Sequence, residues 1–151
     1  MRLLYQRVSG ARVTVDGAVV GEIGAGAVLL LGVGAEDTEA EMKRLAKKAA
    51  ELRVFSDEEG KFRYSLLDTG GQALVVSNFT LYANCRHGRR PEFLGAARPE
   101  TAIPLYEGFL RELSALGVSR VEAGVFGADM KLDIHADGPV SIWLDTDDLV
   151  K

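Results

Sequence analysis

Two short segments carry the groups best suited to chemistry. Ser77-Asn78-Phe79-Thr80-Leu81 closes the apolar run Leu74-Val75-Val76 and leads into Tyr82 and a basic stretch. A strand end is a rigid platform whose last polar side chains and backbone N–H groups can face a pocket. A Ser or Thr nucleophile needs a paired base, however, and the two histidines, His87 and His135, lie far along the chain with no local carboxylate beside either. Taken alone, the segment reads as packing and turn formation. Asp137-Gly138-Pro139-Val140-Ser141 reads as a hairpin turn, because Asp-Gly and Gly-Pro are standard turn dipeptides. An X-Pro bond adopts cis at modest cost, and a cis Gly-Pro pair can aim neighbouring carbonyls the same way, as acceptors for an ammonium group.

The remaining reactive residues are few. Arg86-His87-Gly88-Arg89-Arg90 is a basic cluster in an acidic chain, either a solvated loop or a grip on a few phosphates at the end of a strand. Cys85 is the single cysteine; it forms no internal disulfide, and nothing in the sequence stabilises its thiolate. The Cys and His content offers no zinc-site spacing, so neither a metal nor another cofactor is expected.

These segments must be held by a fold. Val13, Val15 and Val19 flank Asp16-Gly17, which predicts a β-hairpin, and the unbroken apolar run Ala27 to Val33 predicts a strand buried on both faces. Thr38 followed by Glu41 has capping-box spacing, and Met42, Leu45, Ala46, Ala49 and Leu52 recur at helical intervals behind it. A second helix is expected from about Glu100 to Leu116, with Ile103, Tyr106, Phe109, Leu110, Leu113 and Leu116 on one side. Gly117 is placed to end it, and Pro104 is tolerable only near its first turn. Further strands are expected at 52–55, 73–79, 118–124, 131–135 and 140–144. Many short strands with two main helices predict an α+β protein, a mostly antiparallel, barrel-like sheet in a single domain over residues 1–151. A fully parallel array would need more crossover helices.

Composition sets the outer bounds. At 151 residues, with 47% hydrophobic and 26% charged residues, the chain can bury a core without disulfides. A net charge of −4 argues against broad, non-specific nucleic-acid binding, DNA included, while leaving room for a local contact. No stretch approaches the length of a membrane span, and the N-terminus lacks a signal-peptide pattern, so a soluble, cytoplasmic protein is expected.

Read jointly, seven segments are more specific than any one of them. They are Gln6-Arg7-Val8-Ser9, Val13 to Gly17, Ser65 to Asp68, Ser77 to Ala83, Gly88-Arg89-Arg90-Pro91, Gly124 to Met130, and Asp137 to Val140. In this order and spacing the chain resembles the D-aminoacyl-tRNA deacylase family over essentially its whole length. The resemblance implies a homodimer with each active site at the subunit interface. It further implies cleavage of the ester joining a D-amino acid, or glycine mischarged on tRNA-Ala, to the terminal adenosine of tRNA. Ser77 to Leu81 would line the pocket, and Gly138-Pro139 would enter it from the partner subunit.

On that basis the catalytic candidates are Ser77, Phe79 and Thr80, with the backbone N–H groups of Phe79 and Thr80 facing the developing oxyanion and Thr80 orienting the attack. Asn78, Gly138, Pro139 and Arg7 are the substrate-binding candidates, Arg7 by bracing the Gly-Pro pair. Carbonyls of Gly138 and Pro139 that capture the amino group would force an L side chain into rigid backbone, so selection would work by exclusion. Three positions depart from the family pattern: Asn78 stands where Gln is usual, Ala136 where Asn is usual, and Ser141 where Thr is usual. They leave open a second reading, a tRNA-end or nucleotide-binding module of the same fold with a weakened site. A third, an esterase with a Ser77 or Thr80 nucleophile, lacks an identifiable base.

Overall fold

The molecule is organised on one long strand. In the computed structural model, which describes residues 1–150, the elements in chain order are β1 (Arg2–Val15), β2 (Ala18–Ile23), β3 (Gly26–Gly32), α1 (Glu39–Glu51), β4 (Phe55–Ser56), β5 (Phe62–Tyr64), α2 (Leu66–Thr69), β6 (Gln72–Ser77), α3 (Pro99–Leu116), β7 (Val121–Ala123) and β8 (Lys131–Asp145). Single 3-10 turns occupy Phe79–Tyr82 and Thr146–Asp148. One edge of β1 carries β3 along its first half and β2 along its second, both antiparallel; the other edge carries β8, also antiparallel. The Asp16–Gly17 turn has positive φ at both residues, 49° and 80°, the twist that a tight hairpin needs.

The sheet is mixed. All three pairings of β1 are antiparallel, but β3–β6 and β6–β7 are parallel. The physical reason is the pair of crossovers: the segment through α1 returns the chain from β3 to β6, and α3 returns it from β6 to β7. β2 then leans on β7 and nearly closes the sheet into a barrel. A Cβ at Gly21 would lie 2.7 Å from the Ala123 carbonyl oxygen, so only glycine lets the two strands approach this closely.

The expected β3 is buried on both sides. Leu29 and Leu31 pack with Leu3, Tyr5, Leu45 and Phe109 beneath the helices, while Val28 packs with Val8, Val13, Leu74 and Val76 inside the barrel. Each such side chain contributes about 1.5–3 kcal/mol of burial, so this strand anchors both halves of the core. α1 has the complete capping box: Ala40 N–H donates to Thr38 Oγ1 at 3.3 Å and Thr38 N–H donates to Glu41 Oε2 at 2.9 Å. The Thr38 hydroxyl holds the Glu41 carboxyl below its usual range. α3 begins on Pro99, at its first position, and ends on Gly117 with φ 105°.

Several expectations are corrected. Pro104 lies in the second turn of α3 rather than the first, where its missing N–H leaves the Glu100 carbonyl without its helical donor. Ile103, expected on the buried side, sits at the exposed margin of that helix. Leu52 caps α1, and the strand expected at 52–55 is the two-residue β4, paired with β5 outside the main sheet. The strand expected at 73–79 stops at Ser77, and that at 118–124 shrinks to β7. A third, short helix, α2, was not expected; Ser65 and Asp68 cap it reciprocally.

The largest correction concerns Asp137 to Ser141. The segment is not a turn between two strands but lies within β8. Gln6 pairs with Ser141 and Val8 with Ala136, so the four residues Asp137–Val140 face the single residue Arg7. The ladder accommodates Pro139, which has no N–H to donate, by bulging there.

Candidate functional site

Asn78 makes the last ladder bond of the β6 edge, its N–H donating to the Leu31 carbonyl at 2.8 Å. The chain then tightens into the 3-10 turn Phe79–Tyr82, closed by Leu81 N–H to Asn78 O at 3.3 Å and Ala83 N–H to Thr80 O at 3.0 Å. Among the described residues, no protein acceptor takes the backbone N–H of Phe79 or of Thr80, as expected of the first donors of a helical turn. The Thr80 hydroxyl donates to the Asn78 side-chain oxygen, so the short amide at 78 is engaged within the motif itself.

Arg2 ties this turn to the sheet. Its Nη1 donates to the Leu81 carbonyl at 3.0 Å and its Nε to Asp145 Oδ2 at 2.9 Å. The guanidinium lies 4.4 Å over the Tyr82 ring and 5.8 Å from that of Trp143. Tyr82 donates to Asp37 at 3.3 Å, and burial beside the Asp37 and Asp145 carboxylates pushes its phenol well above the usual range.

Beside the motif opens a cavity of about 180 Å³, lined by Ser77, Asn78 and Phe79 on one side and by Tyr106, Phe126 and Met130 on the other. Thr80, a catalytic candidate, does not line it. The Tyr106 hydroxyl donates to the Val75 carbonyl at 3.0 Å, and burial pushes its phenol up to about 12, so it is a neutral wall rather than an acid–base group. The cavity continues past Phe79 and Ala97 into a wider groove bordered by Phe93, Leu94 and Arg98. Phe93 packs edge-on against Phe79, ring centroids 5.0 Å apart. Reading the sequence missed these wall residues. Tyr106 was placed on the apolar side of its helix without a role; Phe126 and Met130 stood inside a segment quoted only for its resemblance.

The second segment is built around Arg7. The Gly138–Pro139 bond is cis. Arg7 Nε donates to the Asp137 carbonyl at 3.1 Å and lies 3.4 Å from the Asp137 carboxylate, while Nη1 donates to Val54 O at 2.8 Å and Ser56 Oγ at 3.3 Å. One guanidinium fork therefore fixes the bulge to the β4–β5 hairpin. Gly138 has φ 128°, and a Cβ there would stand 2.9 Å from Val140 N and 3.2 Å from Arg7 Nη2.

The two segments do not meet within one chain. Ser77 is in register with Leu31 and through it with Leu3, whereas Gly138 faces Arg7, four residues further along β1. Between β8 and β6 lie β1 and β3. At about 4.8 Å per strand and about 3.3 Å per residue, the separation is roughly 20 Å. His135 sits opposite Gly10 on β8, and His87 is exposed in the loop after the 3-10 turn; neither bonds Ser77 or Thr80 among the described residues. Cys85 is exposed. Among the described residues no cluster of three His, Cys, Asp or Glu side chains could hold a metal, and no helix is long and apolar enough to cross a membrane.

The chain matches known proteins over nearly its whole length. The family model described as D-Tyr-tRNA(Tyr) deacylase matches residues 4–145. A D-aminoacyl-tRNA deacylase of Roseiflexus castenholzii is 60% identical over 146 residues, 97% of this chain and 92% of that protein. A solved structure described as c-Myc DNA unwinding element binding protein superposes with a TM-score of 0.90 at 39% identity, covering 96% of this chain and 98% of its own. A probable eukaryotic D-amino acid tRNA deacylase shares the fold, with a TM-score of 0.84 at 16% identity over 95% of this chain and 97% of its own.

Proposed function

The chain belongs to the D-Tyr-tRNA(Tyr) deacylase family, and from that premise we propose that it hydrolyses the ester between a D-amino acid and the terminal adenosine of tRNA. The supporting observation is the unused N–H of Phe79, a residue that lines a largely apolar cavity, together with that of Thr80 next to it in the chain. An aminoacyl ester is already reactive. Its hydrolysis needs a water positioned beside the neighbouring ribose hydroxyl and donors for the oxyanion, and no covalent nucleophile. That water adds to the carbonyl carbon, the oxyanion forms against the two N–H groups, and collapse breaks the bond to the ribose oxygen, which takes up the proton the water gives off as the free amino acid leaves. In this reading Ser77 and Asn78 border the reacting ester, and Thr80, tied to Asn78, orients the attack.

Chirality is assigned to Gly138 and Pro139, whose carbonyls accept the substrate's ammonium group and leave no room for an L side chain; Arg7 holds them. The roughly 20 Å between the two segments supports the further reading that these carbonyls reach the cavity of a second subunit, so that the working unit is a homodimer in the cytoplasm. Glycine has no side chain to exclude, so glycyl-tRNA-Ala is a substrate on the same reasoning.

The test is hydrolysis by the purified protein of D-Tyr-tRNA, L-Tyr-tRNA and Gly-tRNA-Ala under one set of conditions. The expected result is turnover of the first and third with the second spared. Equal rates on both tyrosyl enantiomers would remove the exclusion mechanism. Binding of tRNA with no turnover of any ester would leave the weakened binding module as the function.

A further inference from the structure

The loop that follows the 3-10 turn is not used by the chemistry above. It leaves Tyr82, runs through the arginine cluster and is pinched shut at its base by a two-way backbone bridge: Asn84 N–H donates to Glu92 O at 2.8 Å and Glu92 N–H to Asn84 O at 3.0 Å. The Asn84 side chain adds a turn by accepting from Arg86 N–H at 3.1 Å, and Gly88 turns the tip with φ 69°. The returning segment is anchored beside the cavity by Ala35 N–H to Gly95 O, Ala97 N–H to Val33 O and the Phe93–Phe79 ring contact. The arm is thus held at both ends against the motif that borders the ester.

Its charge is out of keeping with the rest of the chain. The protein carries a formal −4, yet residues 83–98 hold four arginines and one glutamate. That glutamate, Glu92, accepts from Leu94 N–H at 3.0 Å. Among the described residues Arg86, Arg89 and Arg90 form no ion pair, although most other arginines of the chain do. All three are exposed, together with His87. Three guanidinium groups without partners on a stapled loop offer forked donors to phosphate oxygens.

We propose that residues 84–92 form a phosphate-gripping arm that binds the acceptor stem of the RNA whose end occupies the cavity. The inference rests on the aminoacyl-tRNA reading given above. The cavity continues into the groove past Phe79 and Phe93, the side on which the arm is anchored, and this groove gives the RNA body a path from the cavity to the arm. Contacts to phosphates set register and orientation without reading sequence, which suits an enzyme that must act on many tRNAs.

The experiment compares the wild type, a triple variant Arg86→Ala/Arg89→Ala/Arg90→Ala and the corresponding triple Lys variant. Two substrates are used, D-Tyr-tRNA and D-tyrosyl-adenosine, the latter having no phosphate. The Ala variant is expected to lose about tenfold to a hundredfold in kcat/KM on D-Tyr-tRNA. The slope of log kcat/KM against log salt should flatten by about 2–3, roughly one for each phosphate contact removed. The Lys variant should recover most of that slope, and hydrolysis of D-tyrosyl-adenosine should stay within about twofold of wild type throughout. An unchanged salt slope, or an equal loss on both substrates, overturns the proposal. Binding of an uncharged acceptor-stem minihelix is measured in parallel. If the wild type hydrolyses neither ester, the deacylase reading fails, and the arm is then judged on whether the Ala variant alone loses salt-dependent binding of that RNA.

Discussion

At the scale of the residue, the N–H of Phe79 is the group whose removal is most informative. Phe79 is the first residue of its 3-10 turn, a position where proline is tolerated, and Asn78 before it lies outside the helical region that a following proline disfavours, at φ −146° and ψ 85°. Phe79→Pro therefore deletes one donor while leaving the turn in place. Phe79→Ala controls for the lost ring contact with Phe93. On the proposed reading, Phe79→Pro lowers kcat on D-Tyr-tRNA by about 10²–10³ relative to Phe79→Ala, the usual cost of one oxyanion donor. Equal rates in the two variants would assign the oxyanion elsewhere. Such a donor is nearly invisible in a sequence, because any residue supplies an N–H and only the fold shows which N–H groups go unused. The identities of Ser77 and Thr80 suggested a nucleophile that no base supports; what structure adds is the free main chain between them. Asn78 is similar: its type marked a departure from the family, but only the fold brings its side-chain oxygen to the Thr80 hydroxyl.

At the scale of the element, the question is what holds a four-residue turn still. Arg2 reaches from β1 to the Leu81 carbonyl, with Asp145, Tyr82 and Trp143 arranged around its guanidinium. We assign it as a positioning residue. Arg2→Met keeps the aliphatic stem and removes the fork. Since the Arg2 side chain is about one-third exposed, the pair with Asp145 is screened, and stability should fall by only about 0.5–1.5 kcal/mol. Activity should fall as well, about tenfold in kcat with KM little changed, because the turn loses its fixed orientation. A melting temperature and a rate that decline in proportion would reduce Arg2 to a structural role. The elements themselves differed in how openly the sequence announced them. The capping box of α1 and the Asp16–Gly17 turn are local signals and stand where expected. β8 was read as two strands with a turn because Asp-Gly-Pro is a turn signal at short range; its partner β1, more than a hundred residues earlier, overrides that signal by pairing on both sides of the bulge. The parallel pairings of β6 escaped for a like reason, since they depend on where the crossovers return the chain.

At the scale of the whole molecule, one chain keeps its two candidate segments roughly 20 Å apart along the sheet, on either side of β1 and β3. If each site takes Ser77 to Leu81 from one subunit and Gly138–Pro139 from the other, two defective variants can repair each other. Phe79→Pro damages the cavity side. Gly138→Ala damages the other: at φ 128° a Cβ meets Val140 N at 2.9 Å and Arg7 Nη2 at 3.2 Å, which costs about 1–3 kcal/mol and displaces the carbonyls. Each homodimer alone should be slow on D-Tyr-tRNA. After the two are unfolded together and refolded, half of the dimers should be mixed. Every mixed dimer then has one site carrying both substitutions and one carrying neither, so about a quarter of wild-type activity returns. A site complete within one chain recovers nothing on mixing, since each chain brings its own defect. A monomer in solution at assay concentration would give the same null result, and the sedimentation profile of the wild type distinguishes the two. Recovery near one quarter would tie the chirality of the reaction to the symmetry of the assembly, because the carbonyls that exclude an L side chain would then belong to a different molecule from the donors that stabilise the oxyanion.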